Sequence, residues 1–327
     1  MSSFTVQTVT GPVPAQEIGA TDAHSHLWID AVPGADPAAP RLDDQEMLLP
    51  RLEEYIEAGG EAIVDCQPHG CGREANRLYH LSKSSGVKII ACTGFHRRRY
   101  YGPDSALWRM TAGEANEFFL EEAREGLIET RDRPLPVLPG FIKIAAEQTL
   151  EDSPLALFEA VADASLKSSL ALEMHTERGA NIERFLTFFG DHGLPPERLV
   201  FCHVDKRPDL GLHREMAQAG VLLEYDTFFR PKYEPEKNVW PLLLQMIGAG
   251  HSANVALATD MAESDMWTDP GPVAFITSIG RRLDEEGVGA DQKRALLGSN
   301  IITRLAVNNE PTDPNPANPV NNSQGAS

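Results

Sequence analysis

The feature that most constrains this 327-residue chain is an alternation. Eight short apolar runs rich in β-branched residues are each followed by a longer amphipathic stretch, over nearly the whole length. The runs fall at residues 19–24, 61–66, 87–92, 141–145, 170–175, 199–203, 221–225 and 255–259. The stretches after them read as helices at 45–58, 73–84, 113–130, 154–168, 181–191, 210–219, 239–247 and 272–286, with one more at 291–306. Gly59, Gly193, Gly220 and Gly248 stand where helices commonly end, because glycine adopts the left-handed backbone without a Cβ penalty. Parallel strands joined by helices eight times over predict an α/β protein, a (β/α)8 TIM barrel, expected over residues 1–307. The stretch 308–327 is rich in Asn, Pro and Ser and poor in large apolar residues, so it cannot offset its ordering entropy and is expected to be a disordered tail. The proline-rich segment 32–40 reads as a long loop over the face that carries the strand C-termini.

In such barrels the chemistry sits at those C-termini, drawn from several strands. The first run ends in Asp22-Ala23-His24-Ser25-His26, and a two-residue spacing in extended chain sends both imidazoles to one face. The fifth ends in Glu173-Met174-His175, the sixth in Phe201-Cys202-His203 and the eighth in Ala258-Thr259-Asp260. One histidine alone is more often a satisfied polar residue than a ligand. Four of them and an aspartate, all at strand ends, point to a metal centre with Asp260 also a candidate catalytic group. The other histidines, His69, His80, His96, His192, His213 and His251, read as structural or surface, a reading that is weakest for His96.

Lys143 lies inside Gly140-Phe141-Ile142-Lys143-Ile144-Ala145, where an ammonium group is costly unless it is paired, modified or able to snorkel to water. A lysine condensed with carbon dioxide is an anionic carbamate whose two oxygens can bridge two cations.

The H-x-H pair, the strand lysine, the His of Met174-His175-Thr176, the His of Cys202-His203-Val204-Asp205 and the Asp of Ala258-Thr259-Asp260 together resemble the phosphotriesterase family of the amidohydrolase superfamily. Gly11-Pro12-Val13-Pro14 is similar to its N-terminal segment, and the resemblance spans about residues 10–307. It implies an amidohydrolase-like barrel with a binuclear centre: His24, His26 and Asp260 on one divalent ion, His175 and His203 on the other, and N6-carboxylated Lys143 bridging both. Nitrogen and carboxylate ligands suit zinc first, with manganese or cobalt as alternatives. A hydroxide shared by such a centre is a nucleophile at neutral pH, with Asp260 placed to shuttle its proton.

Lys206, with Arg230 and Tyr233 of Arg230-Pro231-Lys232-Tyr233, resembles the phosphate-binding set of the phosphofuranose lactonases in that family, and an arginine fork suits a phosphate. The expected reaction is therefore the opening of a lactone, a sugar lactone bearing a phosphate or another anionic group. Gly94-Phe95-His96 departs from the tyrosine that many lactonase relatives carry after the same strand end. Trp28, Trp108 and Trp267 lie near loops of the active face and would line a neutral pocket, the alternative being a phosphotriesterase or amidase. A non-catalytic metal-binding paralogue is the reading from another class, against which stands the retention of both Lys143 and Asp260, since a purely structural zinc site is closed by four ligands.

A formal charge of -19 repels phosphate backbones and anionic lipid, which argues against nucleic-acid or membrane partners and leaves a small molecule as the expected one. No basic and apolar leader opens the chain and no long apolar run crosses it, so a cytoplasmic location is expected. Cys66, Cys71, Cys92 and Cys202 are too few for a disulfide framework and read as reduced, buried residues. Two-fold assemblies being the commonest, a homodimer is the expected oligomer.

Overall fold

A computed structural model describes residues 4–308. It begins with a hairpin that the eightfold pattern does not contain: β1 (Phe4–Thr8) pairs antiparallel with β2 (Gly11–Pro14). The barrel follows in β3 (Ala20–Ser25), β4 (Gly60–Asp65), β5 (Lys88–Ile90), β6 (Cys92–Gly94), β7 (Phe141–Ala145), β8 (Leu172–His175), β9 (Leu199–Cys202), β10 (Leu222–Tyr225) and β11 (Val255–Leu257). The run at 87–92 is thus two strands rather than one. β5 pairs with β4 and β6 pairs with β7, and between them Ala91 uses its carbonyl to accept from the Gly140 amide at 2.8 Å. Every barrel pairing is parallel. The ring closes where the Asp260 amide donates to the His24 carbonyl at 2.8 Å and the His26 amide to the Met261 carbonyl at 3.0 Å.

Around it stand α1 (Gln45–Glu57), α2 (Ala75–Ser85), α3 (Ala112–Glu125), α4 (Leu155–Ser168), α5 (Ile182–Asp191), α6 (Leu210–Ala219) and α7 (Val239–Gly248). Local chemistry sets their starts: Asp44 and Asp209 cap α1 and α6, and Thr111 with Glu114 forms a capping box on α3. The stretch 113–130 stops early because Gly126, at φ +104°, leaves the helix, and only a 3-10 turn (Ile128–Thr130) follows. The last two stretches are each interrupted by a π turn, Phe275–Ile279 and Ala295–Ser299. Gly248 is the final residue of α7, and it is Gly250 that takes the left-handed turn beyond it. Asn308 belongs to a short strand, β12 (Val307–Asn308), paired with β1, so the expected tail does not begin there. Residues 309–327, where the rest of that tail was expected, lie outside the described residues.

Period-two alternation sorts the strand side chains. Phe141, Val200, Leu222 and Ala256 point inward and pack with Val6 and Ile18 of the N-terminal segment and with Ile301, Ile302 and Leu305 near the C-terminus, which together make a dry floor. Ile142, Ile144 and Leu223 point outward into the shell beneath the helices. The same alternation puts Lys143, Glu173 and Glu224 inside, one layer above the floor, all fully buried. The mouth above them is where the polar residues gather. No helix among the described residues is long and apolar enough to cross a membrane. All four cysteines are free and buried.

Gly94 ends β6 at φ +111°, and a Cβ there would strike the Lys143 carbonyl, which accepts the Phe95 amide at 2.8 Å. Gly94→Ala is expected to cost at least about 2 kcal/mol through backbone strain and overpacking. Thermal unfolding followed by circular dichroism measures it; a variant as stable as the parent would show that the strand relaxes freely.

Candidate metal centre

The six residues expected to meet do meet, at the mouth of the barrel. The rings of His24 and His26 have centroids 5.5 Å apart, and His203 lies 4.9 Å from His24 and 4.6 Å from His175. Lys143 Nζ is 3.4 Å from His24 Nε2. Asp260 Oδ1 lies 3.8 Å from His24 Nε2 and 3.9 Å from His26 Nε2, and its Oδ2 lies 3.9 Å from His203 Nδ1. His203 at φ +64° and Asp260 at φ +50° both hold the left-handed backbone, a strained state for non-glycine residues that is met most often where the surrounding structure imposes it.

Each histidine spends one ring nitrogen on a partner the sequence reading passed over. His24 Nδ1 donates to Glu224 Oε1 at 2.7 Å, His26 Nδ1 to Gln67 Oε1 at 2.8 Å and His203 Nδ1 to Asp226 Oδ2 at 2.5 Å. His175 uses its other nitrogen, Nε2 donating to Glu177 Oε1 at 3.0 Å. A neutral imidazole that donates from one nitrogen offers a lone pair on the other. The lone pairs are therefore on Nε2 of His24, His26 and His203 and on Nδ1 of His175. Burial keeps these rings neutral: it drives His24 and His203 well below the usual histidine range, lowers His175 and brings His26 down to about 4.

The partners are themselves held. Asp205, of the Cys202-His203-Val204-Asp205 motif, accepts the Asp226 amide at 3.0 Å and the Thr227 amide at 2.8 Å, fixing the chain that carries Asp226. Arg97 donates to Glu177 at 2.5 Å and to Glu147 at 2.6 Å. The signals for these residues were present in Cys66-Gln67 after β4 and in Glu224-Tyr225-Asp226 at the end of β10, positions equivalent to those of the histidines.

Charge balance tests whether a cation belongs here. Glu173, Glu224 and Asp226 are fully buried around the histidines, and Asp260 is partly exposed above them. Glu173 Oε1 accepts from Lys143 Nζ at 3.0 Å and from Cys66 Sγ at 2.7 Å. Glu173 Oε2, Glu224 Oε2 and Asp226 Oδ1 make no hydrogen bond, although the last lies 3.4 Å from Lys206 Nζ. Orphaned buried carboxylate oxygens beside four neutral imidazoles describe a pocket short of positive charge. His24, His203 and Asp260 each bring one ligand atom within 4.8 Å of the others, so the donor set fits a divalent cation. The grouping of His69 with Glu122 and Glu129 does not: Arg73 lies between the two carboxylates, 2.5 Å from Glu122 and 2.6 Å from Glu129, and already supplies the charge.

Above the centre opens a cavity of about 510 Å³, walled by the loop 29–41, by His96, Arg99 and Tyr100, and by Arg230, Glu263 and Met266. Lys206, Arg230 and Tyr233 are brought together, but around Asp260. Arg230 Nη2 donates to Asp260 Oδ2 at 2.9 Å, Lys206 Nζ is 3.9 Å from the same oxygen, and the ammonium stands 5.5 Å over the Tyr233 ring. Of the three only Arg230 lines the cavity, together with Arg41 and Arg99. The tryptophans do not line it. Trp28 Nε1 donates to Asp30 at 2.9 Å, Trp267 Nε1 to the His26 carbonyl at 3.1 Å, and Trp108 packs edge-on against Phe95. With the Trp28 and Trp267 indoles hydrogen-bonded behind the wall and Trp108 packed on Phe95, the aromatic lining is left to Tyr100 and His96.

A family model described as the phosphotriesterase family matches residues 4–297. A phospho-furanose lactonase of Mycoplasmopsis agalactiae is 27% identical over 245 residues, spanning 71% of this chain and 69% of its own. An N-acetyltaurine hydrolase of Salmo salar is 27% identical over 344 residues, spanning 90% of this chain and 96% of its own. The crystal structure of a lactonase from Listeria monocytogenes superposes with a TM-score of 0.84 at 21% identity, covering 94% of this chain and all of the other, a likeness of fold.

Proposed function

Given that the chain belongs to the phosphotriesterase family, we propose that it is a metal-dependent hydrolase that opens a lactone carrying a phosphate or another anionic group. The observation that carries the hydrolase reading is the convergence of four directed imidazole lone pairs, Lys143 and Asp260 at the base of one cavity. His24, His26 and Asp260 would hold one divalent cation, zinc before manganese or cobalt, and His175 and His203 a second, with Lys143 as N6-carboxylysine between them. When bound, such a pair supplies Lewis acidity and a nucleophile near neutral pH.

The chain's own groups do the rest. Burial raises the Asp260 carboxyl, but His203, Arg230 and Lys206 beside it outweigh that and hold it below the usual carboxylate range. It is then ionised at neutral pH. Arg230 occupies its Oδ2, so Oδ1 is the atom left to take a proton from the attacking water and return it to the departing alkoxide. The anionic substrate is supported by three guanidinium groups, Arg41, Arg99 and Arg230, lining the cavity of a chain whose net charge is -19.

A screen of γ-lactones with and without a phosphate, on protein whose metal content has been measured, tests this reading. Arg41→Ala and Arg99→Ala, which remove guanidinium groups that line the cavity, are expected to lower kcat/KM for the phosphorylated member roughly 10-fold each relative to the neutral one. An unchanged ratio would remove the anionic substrate and leave the hydrolase. Amides of anionic amines are the second reading, favoured by the near full-length match to a relative named N-acetyltaurine hydrolase; turnover of such amides with no turnover of lactones would select it.

A further inference from the structure

His96 stands just beyond the Gly94 turn, 7% exposed, on the wall of the cavity. Its backbone amide donates to Tyr101 Oη at 2.9 Å, and its ring Nδ1 accepts the Arg97 amide at 2.7 Å. A ring nitrogen that accepts an N–H carries no proton, so the neutral imidazole keeps its hydrogen on Nε2. Among the described residues no protein group accepts a hydrogen bond from that Nε2. The Tyr100 ring stands edge-on to the imidazole with centroids 4.7 Å apart, and Arg97, whose amide sets the tautomer, is itself anchored through Glu147 and Glu177. The centroid of His96 lies 5.0 Å from that of His175 and 6.5 Å from that of His26, residues assigned above to different halves of the centre.

A fixed donor without a protein partner, on a ring that lines the cavity beside both groups of candidate ligands, is an arrangement for stabilising charge that develops on a bound molecule. We propose that His96 is a further catalytic residue: as the attacking water oxygen bonds to the ester carbon, the Nε2–H of His96 donates a hydrogen bond to the carbonyl oxygen, on which the displaced electron pair collects. This rests on the hydrolase reading, since the ester provides the oxygen. His96 gives up no proton. As the ring C–O bond breaks, its electron pair stays on the leaving oxygen, which takes its proton from Asp260 while the imidazole stays neutral.

The test uses the full metal-loaded chain as wild type, His96→Phe, which keeps an aromatic ring and removes the donor, and His96→Gln, which restores an N–H. Metal content, kcat and KM for a phosphorylated γ-lactone, and binding of a cyclic phosphonate and of the matching lactam are measured on each. The phosphonate is tetrahedral and anionic, the lactam planar and neutral. His96→Phe is expected to keep its metal and its KM, to lose about 100-fold in kcat and to bind the phosphonate about 100-fold more weakly. The lactam should bind all three proteins alike, and His96→Gln should regain about 10-fold of the loss. Phosphonate binding equal to wild type, or a fall in kcat matched by loss of metal, would overturn the assignment. If wild type opens no lactone, the substrate reading fails, and the phosphonate comparison still decides for or against His96.

Discussion

Lys143→Met is expected to lose at least about 1000-fold in hydrolysis and most of its bound metal, and to be markedly less stable than wild type. The first two effects follow from its place, 3.4 Å from His24 Nε2 at the centre of the imidazole cluster. The third follows from what it leaves behind. In the metal-free, uncarboxylated chain Lys143 and Glu173 form a fully buried pair at 3.0 Å, and there, without the ammonium, Glu173 keeps an uncompensated charge. Breaking such a pair from one side costs about 3–5 kcal/mol. The double variant Lys143→Met/Glu173→Gln removes both charges, so denaturant unfolding should show most of that stability regained, with metal and activity still missing. Recovery of metal in the double variant would make Lys143 a charge partner of Glu173 and no ligand. The same pairing bears on assembly. Burial disfavours the Lys143 ammonium, but Cys202, Cys66 and Glu173 outweigh it and raise the pKa of the amine well above its ordinary value, while only the neutral amine can take up carbon dioxide. Reconstitution of metal-free protein should accordingly be faster with bicarbonate added to the metal than with metal alone, measured as activity regained over time.

Asp260→Asn carries the other large effect, a fall of about 1000-fold in kcat, within the range that a positioned general base contributes. Asparagine is the substitution that isolates the proton. It is isosteric, and it tolerates the φ of +50° that this position requires, so the closing bond from the residue 260 amide to the His24 carbonyl should persist. The side chain loses its negative charge and with it the proton-accepting Oδ1. Metal content is measured alongside, because the same carboxylate lies 3.8 and 3.9 Å from two ligand nitrogens. Full kcat in a metal-replete Asp260→Asn protein would assign the proton transfer to another group.

Much of this site was legible before any coordinates. The alternation of apolar runs and amphipathic stretches, and the placement of His24, His26, His175, His203 and Asp260 at the ends of runs, are local properties, set by strand periodicity and chain direction alone. Lys143 could be read as anomalous because an ammonium in an apolar run violates a local rule. Two features carry only a weak local signal. The short hairpin at Phe4–Pro14 has no run of alternating length, and the strand read over 87–92 is divided at Ala91 as it passes from one neighbour to the next.

What only the tertiary structure decided is which groups face each other across the barrel. Glu224 lies 200 residues from His24 in sequence, and Gln67 lies 41 from His26, yet these contacts determine which nitrogen each ring offers. Lys206 and Tyr233, expected to line the cavity, turn instead toward Asp226, Asp260 and each other, because buried carboxylates at hand attract an ammonium more strongly than open solvent does. His96 stood out in the sequence only where Gly94-Phe95-His96 departs from a tyrosine of many lactonase relatives, and the role proposed for it depends on the Arg97 amide and on two candidate ligand rings from other strands. Residue type and strand register therefore chose the candidate ligands, while tautomer, orientation and pairing were chosen by through-space contacts that no local pattern encodes.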